Sequence, residues 1–435
     1  VVAPRESEVF EIRDRRFVLD TNSLACYQLE DQETVEHVDL LDRAPQFPRS
    51  HLPGVVVLVL EATHACNLRC RYCFVQTFYE NQASTMSVDT GLEAINHFFS
   101  DYKNRIPPSL GFFGGEPLLN WGLIEAATPY MSAFFSQKRL MPRFSCTTNA
   151  TLVDEQKADF FRKHRFSFIV SLDGPQELHD LIRVKANGKG SFEDTMRGLS
   201  ILSDRGVRGI TLRGTFTKNA VQLTERLSFL NRLCEQGIAQ GVSVEPVSLT
   251  ESTCMRNGEE IGFTEQSALE CREEYLRAAD WFVDTIRKGG RPRWHQVQKT
   301  LERLAWTQHA PSECGASQGY VAVAPDGEIF SCHREMNTGI GNLHTGGIDE
   351  AKRAEWADNR LYCRPKCMQC PIRWVCGGGC REESKTNCAS IHEPWPVACA
   401  FKRLFVESAL WILSELDESE LRRVVSPPRR RKGKR

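Results

Sequence analysis

The sequence predicts an α/β fold built on a partial (β/α)6 barrel, and two observations carry that expectation. Strand-like apolar runs recur at 55–60, 109–113, 143–147, 166–172, 209–216 and 242–247. Helical periodicity fills the intervals, as over 88–102, 155–164, 192–204 and 221–236. Alternation of this kind implies parallel strands joined by right-handed crossovers. Six units are too few to close the eight-fold barrel, so one side stays open.

Size and composition agree with a barrel plus smaller modules. The chain has 435 residues, 41% of them hydrophobic, enough for a substantial core. A formal net charge of −1 points to neither nucleic acid nor membrane. No run of 18 apolar residues offers a membrane span, and Val1-Val2-Ala3-Pro4-Arg5-Glu6 does not read as a signal peptide. The 17 cysteines gather at one early loop and in the last third. Beside a C-x3-C-x2-C loop they indicate metal or iron–sulfur ligation rather than disulfides, which implies a reducing, oxygen-poor cytoplasm.

In chain order, residues 1–50 form an N-terminal β element. Short strands at 9–12, 16–19 and 25–29 are separated by turns at Asp14-Arg15 and Asp20-Thr21-Asn22, and read as a ribbon capping the barrel. The core spans 51–250. Its first strand run leads into Cys66-Asn67-Leu68-Arg69-Cys70-Arg71-Tyr72-Cys73. Chemistry in α/β proteins sits at the carboxyl ends of strands. Three thiolates on one loop suit three corners of a [4Fe–4S] cubane, leaving one iron for another ligand. A zinc site is the alternative, with His64 as fourth ligand. Gly114-Gly115-Glu116-Pro117 follows the second strand run. Its glycines permit close backbone approach, and Glu116 offers an acceptor for an ammonium group. Thr147-Thr148-Asn149 and Ser171-Leu172-Asp173-Gly174-Pro175 end the third and fourth runs. Asn149, Ser171 and Asp173 also suit turns and caps, a reading that stays open. Arg183 suits bidentate pairing with a carboxylate or a surface salt bridge. Ser191 reads as a helix N-cap, and Arg213 as a further pocket cation.

Residues 251–310 are a helical bridge, with Cys254 and Cys271 as unligated thiols. Residues 311–400 hold the second cysteine region: Cys314, twelve residues, Gly327, four residues, Cys332, then Cys367-x2-Cys370-x5-Cys376-x3-Cys380 and Cys399. A hairpin with an Asp326-Gly327 turn brings Cys314 and Cys332 together. Gly377-Gly378-Gly379 lets the chain wrap tightly between two cysteines. A zinc ribbon is the alternative for 367–380. Residues 401–416 read as a C-terminal helix. The basic stretch 417–435 reads as a disordered tail.

The C-x3-C-x2-C loop, Tyr72 before its last cysteine and Gly114-Gly115-Glu116-Pro117 together resemble the radical S-adenosylmethionine (SAM) superfamily over about 54–400. The resemblance implies that Cys66, Cys70 and Cys73 hold a [4Fe–4S] cluster, and that SAM chelates its fourth iron. It places SAM's amino group near Gly114, Gly115 and Glu116, its ribose near Asn149 and Asp173, and its carboxylate near Ser171 and Arg183. It further implies cleavage of SAM to a 5′-deoxyadenosyl radical that abstracts hydrogen from substrate.

The seven-cysteine order resembles the SPASM extension, giving three [4Fe–4S] clusters in all. Cys314, Cys332 and Cys380 fall to one auxiliary cluster; Cys367, Cys370, Cys376 and Cys399 fall to the other. Many members carry a further cysteine where this chain has Gln308. Either Cys363 or another thiol fills that site, or an iron stays open for a substrate thiolate. Cys388 has no counterpart. Sulfatase activators carry a catalytic Asp where this chain has His333. The expectation is therefore a peptide maturase that installs a thioether or carbon–carbon crosslink, with an auxiliary cluster taking the surplus electron. The expected partners are a leader-bearing peptide and an electron donor such as flavodoxin or ferredoxin. Residues 1–50 resemble part of a leader-binding winged-helix module. Residue oxidation or epimerisation, and a non-catalytic electron carrier or zinc scaffold, are the alternatives.

Overall fold

The computed structural model describes residues 7–30, 54–75, 84–136, 138–248, 260–335, 337–358 and 360–425. Cys254 and the residues from 426 onward lie outside that set. The core is a sheet in which β4 (Val57–Thr63), β5 (Ser109–Gly114), β6 (Arg143–Thr148), β7 (Ser167–Ser171), β8 (Ile210–Phe216) and β9 (Gly241–Pro246) are neighbours in sequence order. All five pairings among them are parallel. The six expected βα strands thus appear within a few residues of their apolar runs. The helices between them include α1 (Val88–Phe99), α2 (Trp121–Ser136), α3 (Glu155–Lys163), α4 (Phe192–Asp204) and α5 (Leu223–Glu235).

Local chemistry fixes these elements. The Ser87 side chain accepts from Thr90 N to start α1, and Asp154 accepts from Lys157 N to start α3. The buried positions of α1, Gly91, Ala94, Ile95 and Phe99, repeat every three or four residues. Alternate side chains of β8 are buried, the period-two signature of a strand. Beneath the sheet an aromatic cluster packs tightly: Phe144 and Phe166 lie 5.4 Å apart, and Phe161 and Phe168 4.8 Å. Burying each such ring contributes about 1.5–3 kcal/mol.

The hairpin predicted around Gly327 forms from β10 (Tyr320–Val323) and β11 (Glu328–Phe330). It is also an extension of the barrel sheet. β10 pairs in parallel with β4, Tyr320 opposite Val57. Two further short strands, β12 (Gly341–Asn342) and β13 (Gly347–Ile348), complete a ten-stranded sheet. Sequence periodicity marks strands but not their partners, so this union was not legible beforehand.

The N-terminal sheet, β1 (Ser7–Ile12), β2 (Arg15–Asp20) and β3 (Cys26–Leu29), is antiparallel. It docks on two helices, α6 (Arg272–Arg287) and the C-terminal α8 (Pro396–Glu415), with α7 (His295–Ala305) between them in the chain. Arg13 pairs with Asp280, and Arg15 reaches Glu415 at 2.7 Å. Both guanidiniums lie over the Trp411 ring. The expected C-terminal helix begins earlier than 401, because Pro396 occupies its first turn, where a missing N–H costs nothing. Cys399 is therefore helical. The expectation of a disordered tail from 417 is corrected for its first part: Glu418–Leu421 form a helical turn closed by an Asp417–Glu420 capping box. None of the described helices is long and apolar enough to cross a membrane.

Candidate active site

A cavity opens at the carboxyl ends of the barrel strands. Cys66, Cys70 and Cys73 line it from the loop after β4, facing Gly114 and Gly115 from the end of β5. Asn149 and Ser171 line it from later strand ends, Arg213 from within β8, and Arg183 from the segment that runs beside the cysteine loop. The topology thus collects at one rim the residues that the sequence scattered over 150 positions.

Local packing explains why the rim is built this way. Gly114 has φ +132°, a region side chains disfavour. A Cβ at Gly114 would meet the Thr63 carbonyl oxygen at 2.2 Å, and one at Gly115 the Ala65 carbonyl oxygen at 2.2 Å. Gly115 N donates to Thr63 O at 2.8 Å, and Glu116 N to Ala65 O at 2.9 Å. The glycines therefore press the end of β5 against the entry to the cysteine loop. On the other side, Arg69 N donates to Val184 O and Arg71 N to Ile182 O, at 2.6 and 3.0 Å.

Two residues expected near SAM have carboxylates engaged within the protein. Glu116 is buried and its carboxylate already accepts from Leu118 N, Thr148 Oγ1 and Asn149 N at 2.8–3.1 Å. Burial, opposed by those bonds, pushes it up to about 7. Asp173 is fully buried. It accepts from Tyr72 Oη at 3.0 and 2.8 Å and from Thr215 N at 3.0 Å, and pairs with Arg183 Nε at 3.1 Å. Both carboxylates build the wall behind the cavity. Arg183 is likewise a buried ion-pair partner, not a surface one. Asn149 Nδ2 stands 4.0 Å from Cys66 Sγ and donates to Asn67 Oδ1 at 3.0 Å. Ser191 Oγ does not cap its helix; it donates to Arg183 O at 2.8 Å, and Asp180 accepts from Phe192 N instead.

His64 is not placed as a metal ligand. Its Nε2 meets Glu61 Oε2 at 3.0 Å and its Nδ1 meets Ser84 Oγ at 2.9 Å. Among the described residues no three His, Cys, Asp or Glu side chains close on a single ion. The loop thiols are neighbours along one wall, and a cluster takes one thiolate per iron. Burial pushes the Cys66 and Cys70 thiols up to about 12. Bare thiolates are thus unfavourable here, and a bound cationic centre is what would deprotonate them. This donor set fits an iron–sulfur cluster better than tetrahedral zinc.

Electrostatic proximity sorts the later cysteines. Cys332 feels Cys314, and Cys380 feels Cys332. Cys399 feels Cys376, Cys367 and Cys370. Burial raises Cys332 and Cys367 to about 12 and Cys370 to about 11, and it raises Cys380 and Cys399 as well. Gly377, Gly378 and Gly379 all have positive φ, 74°, 91° and 71°, so three consecutive left-handed residues turn the chain from Cys376 to Cys380. The Cys363 thiol donates to Asp358 O at 3.0 Å.

Sequence reading missed several groups. Buried Arg364 donates to the carbonyls of Ile391 and Gly378 and to Ser384 Oγ, pinning the cysteine-bearing loops. Arg381 does the same for Ala316 and Trp356 at 2.9 and 2.6 Å. Glu245, at the end of β9, also lines the cavity and pairs with Arg213. Against burial, Arg213 and Arg334 hold it down at about 2. The strand-end rule that flagged Asn149 and Ser171 applied equally to Glu245. His333 and Arg334 enter the same cavity from the cysteine-rich region. Burial, then Arg334 and Arg213, push His333 down to about 3. Its Nδ1 is bonded to the Tyr320 hydroxyl.

The family model described as "Radical SAM superfamily" matches residues 60–221. A protein of Methanocaldococcus jannaschii, named "Uncharacterized protein MJ0907", is 33% identical over 211 residues, covering 48% of this chain and 69% of its own. The "Serine-type anaerobic sulfatase-maturating enzyme" of Klebsiella aerogenes is 24% identical over 371 residues, 77% of this chain and 81% of its own. The solved structure "Native anSMEcpe with bound AdoMet and Cp18Cys peptide" superposes with TM-score 0.67 at 20% identity, covering 82% of this chain and 98% of that one, which shows a shared fold. A three-thiol loop locked against a glycine turn at the mouth of a partial barrel, together with these matches, places the chain in the radical SAM superfamily.

Proposed function

We propose that the protein is a radical SAM peptide maturase that installs a thioether or carbon–carbon crosslink in a ribosomally made peptide. The observation that carries this reading is that one cavity joins the cysteine loop to groups from the cysteine-rich region, His333 and Arg334. The similar sulfatase-maturating enzyme and the peptide-bound neighbour support a peptide as substrate class.

Superfamily membership brings one [4Fe–4S] cluster and SAM, and when bound these supply reductive cleavage of the SAM sulfonium. The chain's own residues do the rest. Cys66, Cys70 and Cys73 hold the cluster. The glycine turn, Asn149 and Ser171 seat SAM. Phe74, Val75 and Phe113 form apolar wall that excludes water. Cys314, Cys332 and Cys380 hold a first auxiliary cluster, its remaining position left to a substrate thiolate or to Cys363. Cys367, Cys370, Cys376 and Cys399 hold a second, making three. Flavodoxin or ferredoxin supplies electrons.

Crosslinking is preferred to formylglycine-type oxidation because of His333. It stands where sulfatase activators carry a catalytic Asp, and a group held near 3 is a weak base at neutral pH. The test is anaerobic incubation with SAM, reductant and a peptide encoded beside the protein, read by 5′-deoxyadenosine release and fragmentation mass spectrometry. Loss of two hydrogens with fragmentation blocked between the linked residues supports the proposal. The same loss localised to one residue as an aldehyde gives oxidation instead, and 5′-deoxyadenosine release with no mass change gives epimerisation.

A further inference from the structure

We propose that Arg183 sets the reduction potential of the cluster held by Cys66, Cys70 and Cys73, by fixing a partly neutralised positive charge beside the Cys70 sulfur. The inference rests on ligation of a cluster by those three thiols, checked beforehand by iron and sulfide counts.

The charge is close and held from several sides. Arg183 Nη1 donates to Cys70 Sγ at 3.8 Å while Nε pairs with Asp173 at 3.1 Å. Its guanidinium carbon lies 5.2 Å from the centre of the Tyr72 ring. Only 8% of the residue is exposed. Its backbone position is set as firmly. Residues 182–184 run beside the cysteine loop, with hydrogen bonds from Arg69 N to Val184 O and from Arg71 N to Ile182 O, and a bridge between Leu68 and Lys185. Arg183 therefore lies within the stretch annealed to the loop around Cys70. Ser191 Oγ clamps its carbonyl.

The consequence follows from the sign of the charges. Reducing a cluster adds a negative charge, and N–H···S bonds and nearby cations stabilise that reduced form. A guanidinium remains charged at any working pH. Asp173 offsets part of its field, and Tyr72 and Thr215 hold Asp173 in place for that. The pair Arg183–Asp173 thus acts as two opposed controls on one potential. Neither need touch the reacting atoms, so both are positioning residues.

The test is a potentiometric titration of the anaerobically reconstituted full chain without SAM. It follows the electron paramagnetic resonance signal identified as the one that changes shape when SAM is added. Arg183→Gln should lower the reduced-to-oxidised ratio at a fixed potential about tenfold, a downward shift of about 59 mV for one electron. Arg183→Lys, which keeps the charge without the fork, should fall between. Asp173→Asn should move the midpoint upward. An unchanged midpoint in Arg183→Gln, or one unchanged while SAM affinity alone is lost, overturns the proposal. If Arg183→Gln does not retain iron, the sign in Asp173→Asn decides: no shift or a fall overturns it. A different iron count in the wild-type chain would instead defeat the ligand assignment.

Discussion

The backbone N–H of Glu116 donates to the carbonyl of Ala65 at 2.9 Å, joining the glycine turn after β5 to the residue before Cys66. Two stretches fifty positions apart are thereby one rigid surface. Gly115→Ala should break it, since its Cβ would fall 2.2 Å from that same carbonyl. Overpacking of this kind costs about 1–3 kcal/mol. A lowered melting temperature and loss of 5′-deoxyadenosine formation are expected, and a variant with wild-type values for both would contradict the geometry.

Cys399→Ala should remove about one cluster's share of iron and sulfide while leaving some SAM cleavage. The thiol lies on the first turn of α8, within the field of Cys376, Cys367 and Cys370. Cys70→Ala, by contrast, should abolish SAM cleavage. Elemental analysis beside a 5′-deoxyadenosine assay separates the two, and unchanged iron in Cys399→Ala would remove it from the ligand set.

Arg364→Met should destabilise the cysteine-rich region without touching the cavity. It strands the Gly378 carbonyl in a buried setting. Each unpaired buried acceptor costs about 1–3 kcal/mol. Lower thermal stability and faster loss of auxiliary iron to a chelator are expected. A melting curve unchanged from wild type would show that this carbonyl finds another donor.

Acid should weaken the fold through His179. It is buried, bonded to Ser191 Oγ at 3.0 Å, and pushed by burial down to about 4 from an ordinary 6.5. Between those values the unfolded chain binds a proton that the folded chain refuses, so stability falls as pH drops through the window. The scale is about 1.4 kcal/mol per pH unit. His179→Gln should flatten this slope in chemical denaturation measured from pH 6.5 to 4; an unaltered slope would assign the acid sensitivity elsewhere.

Much of the site was legible because its chemistry is local. The C-x3-C-x2-C spacing, the glycine pair and the strand ends bearing Asn149 and Ser171 are each short runs, and each lies on the cavity wall. What periodicity could not supply was which polar groups are already spent. Glu116 and Asp173 read as ligand contacts from sequence, yet both carboxylates are engaged by protein donors. His64, a candidate ligand by spacing, is held by Glu61 and Ser84. Buried arginines such as Arg364 look like ordinary surface cations in a sequence.

The amino-acid order by itself determined the six βα units, the position of the cysteine loop at a strand end, and the hairpin at Gly327. These depend on residue spacing over a few turns or strands. The tertiary structure alone decided that this hairpin extends the barrel sheet through β10 and β4, and that His333 and Arg334 reach the cavity of the cysteine loop. It also decided that Arg183 stands between Asp173 and Cys70. Strand partnership and charge pairing are contacts between distant segments, and their energies depend on burial that only the folded chain creates.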